Sequence, residues 1–122
     1  MDTKWEYNGE TLELDLEDVD TLERYEAAFA EMQEHFHDLP EDAGTAARMR
    51  QYCEAIRFVF DRIFGEGTVA RLLGEGLHVG DTEEAYLSLL GFVQAQTAAG
   101  AQRRTKLLAK YVPNRAARRA KK

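Results

Sequence analysis

Several features that would point to a particular class of protein are scarce or missing in this chain. Its 122 residues include a single cysteine, Cys53, so no internal disulfide can form and a reducing cytoplasm is the expected setting. No apolar run approaches the roughly 18 residues that a transmembrane helix needs. Residues 1–6 lack the basic and then apolar layout of a secretion signal. We therefore expect one domain that has no contact with a membrane.

Acidic residues are absent from the last third of the chain. All 22 of them lie at or before Glu84, together with seven Lys or Arg, which gives this part a net charge of −15. From Ala85 onward there are nine Lys or Arg and no acid, a net charge of +9. The overall charge of −6 therefore hides an acidic body joined to a basic end.

Residue types that carry out chemistry are few, and their spacing is unfavourable. His35 and His37 are two positions apart and would point about 200° away from each other on a helix, so they cannot chelate one ion. Cys53 falls on a predicted apolar face, where a thiol is buried rather than reactive. The pair Gly65 and Gly67 lacks the Gly-Lys-Ser/Thr sequence of a phosphate-binding loop. We predict no catalytic residue, no metal site and no cofactor, and hence a protein that is not an enzyme.

A β-hairpin is predicted over residues 3–16. Asn8-Gly9 is the strongest short hairpin signal, because both central residues of a type I′ turn need a positive φ. A two-residue loop places Trp5 opposite Leu12 and Lys4 opposite Glu13. In this register Trp5 and Tyr7 share a face with three leucines, which are Leu12, Leu14 and Leu16. Because an isolated hairpin is marginal in water, this face must dock on helices or on another chain.

Apolar residues that recur every three or four positions predict helices along the rest of the chain. The first is capped by Asp18 or Asp20, carries an apolar stripe over residues 19–39 and stops at Pro40. The second has its apolar stripe over residues 49–63 and ends near Gly65. A short helical turn is predicted over residues 69–73.

The last helix is predicted to be long, with a cap formed by Asp81 and Glu84. Its stripe weakens around Gly100, where glycine costs about 1 kcal/mol relative to alanine, so we expect a kink or fray there. The stripe resumes at Leu107, Leu108 and Tyr111, with Arg104 on the same face. The predicted fold is therefore mainly α: four helices in a small bundle with an N-terminal hairpin, a single domain over residues 1–111. Residues 112–122 are expected to form a disordered basic tail.

Two sets of residues are candidates for binding another protein. The first is an apolar surplus. It consists of the hairpin aromatics Trp5 and Tyr7, of Phe58, which points opposite the stripe of its helix, and of Leu87 and Phe92, which flank theirs. The alternative is that the hairpin or the short helix covers the three helix side chains. The second set consists of cations in the tail, which are Arg115, Arg118, Arg119, Lys121 and Lys122. The alternative for the tail is a solubilising end that has no partner.

Nucleic acid is a poor partner for such a tail, because a body with a charge of −15 would repel the phosphate backbone. An acidic protein surface is favoured instead, and the acidic body of a second copy is an obvious example. Self-association is therefore expected.

Three stretches of sequence together carry a family resemblance. They are Tyr7-Asn-Gly-Glu-Thr-Leu12 leading into residues 18–26, Phe60-Asp-Arg-Ile-Phe-Gly-Glu-Gly-Thr68, and Tyr111-Val-Pro-Asn-Arg-Ala-Ala-Arg-Arg119. The combination resembles small proteins from the tail-gene clusters of phages and prophages of Gram-positive bacteria, which look like tail assembly chaperones. The resemblance spans most of the chain, but each motif is short. It brings no catalytic or ligand-binding residue.

The resemblance implies a protein that binds the tape-measure protein and keeps it soluble until tail tube subunits polymerise around it. Such a chaperone would work in the host cytoplasm and would be absent from the mature virion. Two other functions stay open: a nucleic-acid-binding or regulatory protein that acts through the basic tail, and a structural tail-completion protein.

Overall fold

The computed structural model of the chain describes residues 2–112. It contains two strands, β1 (Lys4–Tyr7) and β2 (Glu10–Glu13), and four helices, α1 (Val19–Met32), α2 (Gly44–Phe64), α3 (Thr68–Leu73) and α4 (Val79–Tyr111). The predicted class, mainly α with an N-terminal hairpin, is confirmed. Apart from Val112, the predicted basic tail lies outside the described residues.

The hairpin has the predicted register. β1 and β2 are antiparallel, with Trp5 opposite Leu12 and Lys4 opposite Glu13. The two turn residues have positive φ angles, 47° at Asn8 and 78° at Gly9, as a type I′ turn requires.

Trp5 docks the hairpin on the helices. The side chain is buried, and its ring stacks on Phe60 and Phe64 of α2 with centroid distances of 5.8 and 5.9 Å. Its indole Nε1 donates a hydrogen bond of 3.1 Å to the Ser88 hydroxyl of α4. The tryptophan therefore joins the hairpin to two helices at once and satisfies its own polar atom.

α1 begins at the predicted cap and ends earlier than predicted. The Asp18 carboxylate accepts a hydrogen bond of 3.0 Å from the Thr21 backbone N–H, so Asp18 is the N-cap. The helix ends at Met32, and a short 3₁₀ turn follows over Gln33–His35. Phe36 is already extended and 44% exposed, so the prediction that the helical stripe reaches Leu39 is wrong.

α2 ends, and α3 begins, close to where the sequence predicts. α2 buries six side chains and stops at Gly65, whose φ of 113° suits glycine. The Asp61 carboxylate then accepts a hydrogen bond of 2.9 Å from the Val69 N–H, which caps the first turn of α3. Arg57 of α2 donates to the Gly74 carbonyl at 2.7 Å and secures the loop that leads into α4.

Two predictions about α4 are corrected. Its N-cap is His78, whose ring Nδ1 accepts a hydrogen bond of 3.1 Å from the Asp81 N–H; Asp81 itself lies in the first turn. The helix also continues through Gly100 to Tyr111, so the expected fray is wrong. Gly100 is buried because the Glu17 side chain lies over it and pairs with Arg103 and Arg104 in the next turn.

The core lies between the hairpin and the first three turns of α4, with all four helices contributing. Its largest buried side chains include Leu14, Val59, Phe60, Ile63 and Leu89. No buried apolar side chain of this core comes from α4 beyond Leu89. None of the helices within residues 2–112 combines the length and apolar character that crossing a membrane requires.

Candidate functional site

Histidine and cysteine are the residue types that most often bind a metal or act as a nucleophile. Within residues 2–112 no three His, Cys, Asp or Glu side chains converge on a possible metal position. Cys53 is buried in α2. His35 stacks on Phe58 with a centroid distance of 4.1 Å, and His78 caps α4. Each of these residues therefore has a structural role.

The apolar residues predicted to contact a partner differ in how exposed they are to solvent. Trp5 is 3% exposed and belongs to the core, because its indole is used to dock the hairpin. Tyr7, Phe58 and Phe92 are half-buried and pack against the core. Leu87 is 65% exposed on α4. Of these five side chains Leu87 is the exposed one, and Phe58 lies against His35 of the 3₁₀ turn.

The predicted electrostatic contacts in the tail are not part of the described structure. Arg115, Arg118, Arg119, Lys121 and Lys122 all lie beyond Val112, and their assignment stays a prediction.

A cluster of exposed apolar side chains lies at the end of α4. Every residue from 101 to 112 is exposed, and we call this segment the C-terminal arm. Its apolar side chains are Leu107, Leu108, Tyr111 and Val112, with exposed fractions of 40%, 62%, 69% and 59%. Together with Arg104 they line one open, almost wholly apolar depression. An apolar patch of this kind on a small protein marks a contact surface.

The arm is also basic. It carries Arg103, Arg104, Lys106 and Lys110 and no acidic residue. Arg103 and Arg104 both contact the Glu17 carboxylate at the root of the arm. Lys106 and Lys110 form no ion pair within residues 2–112, although the Lys110 ammonium lies 5.0 Å from the Tyr111 ring centroid. A partner that carries carboxylates would therefore gain contacts with both lysines.

The arm continues the face of α4 that packs inside the body. Leu89, Val93, Gly100, Leu107 and Tyr111 are separated by four, seven, seven and four positions, so they lie along one side of the helix. In the body, α2 and β1 pack against α4, and Phe29 of α1 lies beside Tyr86 with a centroid distance of 6.3 Å. α1 begins near Gly100, where Glu17 meets the two arginines, and no described element covers α4 beyond that point.

A shallow groove lies on the same side of α4 just before the arm. It is lined on one wall by Leu16, Leu22 and Tyr25 and on the other by Val93 and Thr97, with Gly100 and Arg104 at its end. Val19, 64% exposed, lies one turn before Leu22 on α1 and extends the apolar surface outward. The groove and the arm lie end to end along α4, and the ion pair between Glu17 and Arg104 lies where they meet.

A buried amide holds the base of this groove. Gln96 is 4% exposed, and its side-chain oxygen accepts a hydrogen bond of 2.7 Å from the Leu16 N–H. Its amide nitrogen donates to the carbonyls of Leu14 and Asp2 at 2.7 and 3.0 Å. The chain segment after the hairpin is thereby fixed against α4, which positions the groove wall that Leu16 provides.

Neither the arm as a surface nor Gln96 was among the residues predicted to have a function. The signal for the arm was the length of the last helix: at 1.5 Å per residue α4 spans about 50 Å, whereas α1 spans about 21 Å. A helix that much longer than its neighbours must project beyond them. The signal for Gln96 was a polar residue seven positions after Leu89, on the apolar face.

The structure is that of a small helical protein with a docked hairpin and exposed apolar side chains at the end of its longest helix. The chain belongs to a family of unknown function, DUF6673, whose model matches residues 8–122. No curated protein and no solved structure matches the chain.

Proposed function

We propose that this chain is a non-enzymatic tail assembly chaperone that binds the tape-measure protein and keeps it soluble before the tail tube polymerises. The observation that carries the proposal is the C-terminal arm, a projecting helical segment with three large exposed apolar side chains and four cations. The sequence resemblance to proteins of phage tail-gene clusters supplies the identity of the client.

The chemistry of the arm suits a client that is long, helical and partly apolar. Leu107, Leu108 and Tyr111 lie on one side of the arm, the arrangement by which an amphipathic helix packs on another helix or in a groove. Each such contact is small, so binding to one client would be weak. A client that offers many similar sites would nevertheless be coated, because linked weak contacts add up to a high avidity.

The charge of the body suits a coat of this kind. Up to Glu84 the chain carries 22 acids against seven basic residues, a net charge of −15. Coated clients would present this acidic surface to one another and repel, which prevents clumping. Tail tube subunits would displace the chaperone as they polymerise, so we expect the chain in the host cytoplasm and not in the mature virion.

Co-expression with the tape-measure protein from the same gene cluster tests the proposal. We expect the wild-type chain to keep that client in the soluble fraction and the variant Leu108→Ser/Tyr111→Ser to fail. Met49→Ser is the matched control, because it removes an exposed apolar side chain from α2 instead of the arm. If the client precipitates to the same extent with and without the wild-type chain, the proposed function is wrong.

Mass spectrometry of purified virions separates the chaperone from a structural tail-completion protein. A chaperone should be absent from mature tails, whereas a completion protein should be present in a fixed copy number.

A further inference from the structure

We propose that a second copy of this chain covers the C-terminal arm: two chains form a two-fold symmetric dimer in which each arm lies in the groove between α1 and α4 of the other copy. This inference deepens the proposed function, because it states what occupies the arm before a client arrives. Dimerisation is measured with the purified chain alone, so its test is independent of the test with the client.

The arm and the groove are suited to each other in chemistry. The groove offers Leu22 and Val93 along its walls and the exposed Val19 at its edge. The arm offers Leu108 and Tyr111, both more than 60% exposed. Both surfaces are apolar strips along a helix, so their contact would remove apolar area from water on both sides.

An arm cannot reach the groove of its own chain. α4 is an unbroken helix from Val79 to Tyr111, and the groove lies before Gly100 on the same side as the arm. The arm therefore extends about 16 Å away from its own groove and has no hinge among the described residues by which to fold back. An arm that occupies this groove must therefore come from another molecule.

An antiparallel arrangement lets both arms bind at once. Because arm and groove lie on the same side of α4, two α4 helices that run in opposite directions bring each arm to the groove of the other copy. The same patch is used twice, which closes the assembly at two chains. A parallel arrangement would leave both grooves empty.

Charge complementarity points to a second copy as the occupant. Residues 15–32, which include α1, contain seven acids and one basic residue, Arg24. The exposed carboxylates Glu23 and Glu26 lie four and seven positions after Val19, beside the groove. Lys106 and Lys110 of an incoming arm have no partner in their own chain within residues 2–112, and these carboxylates supply one. Oppositely charged rims of this kind fix orientation and partner choice.

Charge reversal on each side, followed by mixing, tests the dimer. Sedimentation velocity of the full chain at about 100 μM, well above the Kd of a micromolar interface, should show a dimer. Lys106→Glu/Lys110→Glu should weaken dimerisation by about tenfold or more, because the arm then meets like charges. Glu23→Lys/Glu26→Lys should do the same from the other side. An equimolar mixture of the two variants should form a heterodimer, because both of its arm–groove contacts then join opposite charges.

Controls separate this interface from a general effect of charge or folding. Arg48→Glu/Arg50→Glu makes the same change in net charge at an exposed site on α2 and should stay dimeric. Leu108→Ser removes apolar contact without changing charge and should weaken the dimer as well. Far-ultraviolet circular dichroism should show unchanged helix content for all variants, since every substituted side chain is exposed.

A wild-type chain that sediments as a monomer at this concentration would overturn the dimer. So would charge reversals that leave it intact, a control variant that loses it, or a mixture that fails to form the heterodimer. A monomer that still keeps the tape-measure protein soluble would overturn the dimer and leave the proposed function standing. A dimer that leaves the client insoluble would overturn the proposed function and support the dimer.

Discussion

At the scale of single residues, Gln96 shows how one polar side chain sets the geometry of a surface. The residue lies on the apolar face of α4, where its amide bonds to three backbone groups at buried and partly buried positions. In the sequence, a polar residue on an apolar stripe only weakens the amphipathic pattern of the helix and indicates no role of its own. The three backbone groups that it pairs with are 80 or more positions away, so no local pattern reveals them.

We predict that Gln96→Leu lowers the free energy of unfolding by about 3 kcal/mol. Leucine nearly preserves the volume, but it leaves the Leu16 N–H and the carbonyls of Leu14 and Asp2 without a partner. Urea denaturation measures the change. Gln94→Leu, an exposed position on the same helix, is the matched control and should change the free energy of unfolding by less than about 0.5 kcal/mol. Equal effects at both positions would show that the buried amide is not needed.

Other residues mark where local signals succeed and fail. Asn8-Gly9 predicts its turn because the needed φ angles belong to those two residues themselves. The cap of α4 was assigned to Asp81, since carboxylates are the usual capping groups. In the structure the ring nitrogen of His78 takes that role three positions earlier. The Asp81 carboxylate and the His78 ring are both possible capping groups, and which of them caps the helix depends on the backbone conformation before α4.

At the scale of elements, the sequence predicts the features that depend on the spacing of apolar and turn residues. It does not predict features that depend on contacts between elements. The register of the hairpin and the limits of α2 and α3 follow from turn residues and apolar spacing. The fray expected at Gly100 depended on the intrinsic cost of glycine. Glu17, 83 positions earlier, lies over this glycine and binds the next turn. A tertiary contact thus overrides a local propensity.

The arm should contribute to contacts with other molecules and little to the stability of the body. We predict that Leu108→Ser/Tyr111→Ser changes the free energy of unfolding by less than about 0.5 kcal/mol, because both side chains are exposed. The measurement uses a chain concentration low enough for monomers. Leu89→Ala on the same face of α4, where the side chain is fully buried, should cost about 2–5 kcal/mol. A large loss in the arm variant would show that the arm packs within its own chain.

At the scale of the whole molecule, charge and burial both change along α4. The acids end at Glu84, the buried apolar residues of α4 end at Leu89, and beyond Gly100 every described residue is exposed. The charge boundary is visible in the sequence. The sequence does not show that the basic residues from Arg103 onward lie on a projecting part of α4, because this depends on where the other elements stop packing against that helix.

The four tyrosines of the body come from four different elements, so their ionisation tests the whole assembly. Burial raises the pKa of Tyr25 in α1, Tyr52 in α2, Tyr86 in α4 and Tyr7 in β1. For Tyr52 the hydrogen bond to Glu83, and for Tyr7 the charge of Glu84, raise the pKa further. In the unfolded chain these groups lose their protons at about pH 10.

As the pH rises above about 10, the unfolded state therefore binds fewer protons than the folded state, and the free energy of unfolding falls. Below that pH both states keep the phenolic protons, and these groups cause no change. We predict that Tyr25→Phe/Tyr86→Phe loses less stability than the wild type over the same rise in pH, because phenylalanine has no proton to lose. Urea denaturation at pH values on either side of 10 measures both proteins. Equal losses in the two would mean that deprotonation of these two buried rings does not drive alkaline unfolding.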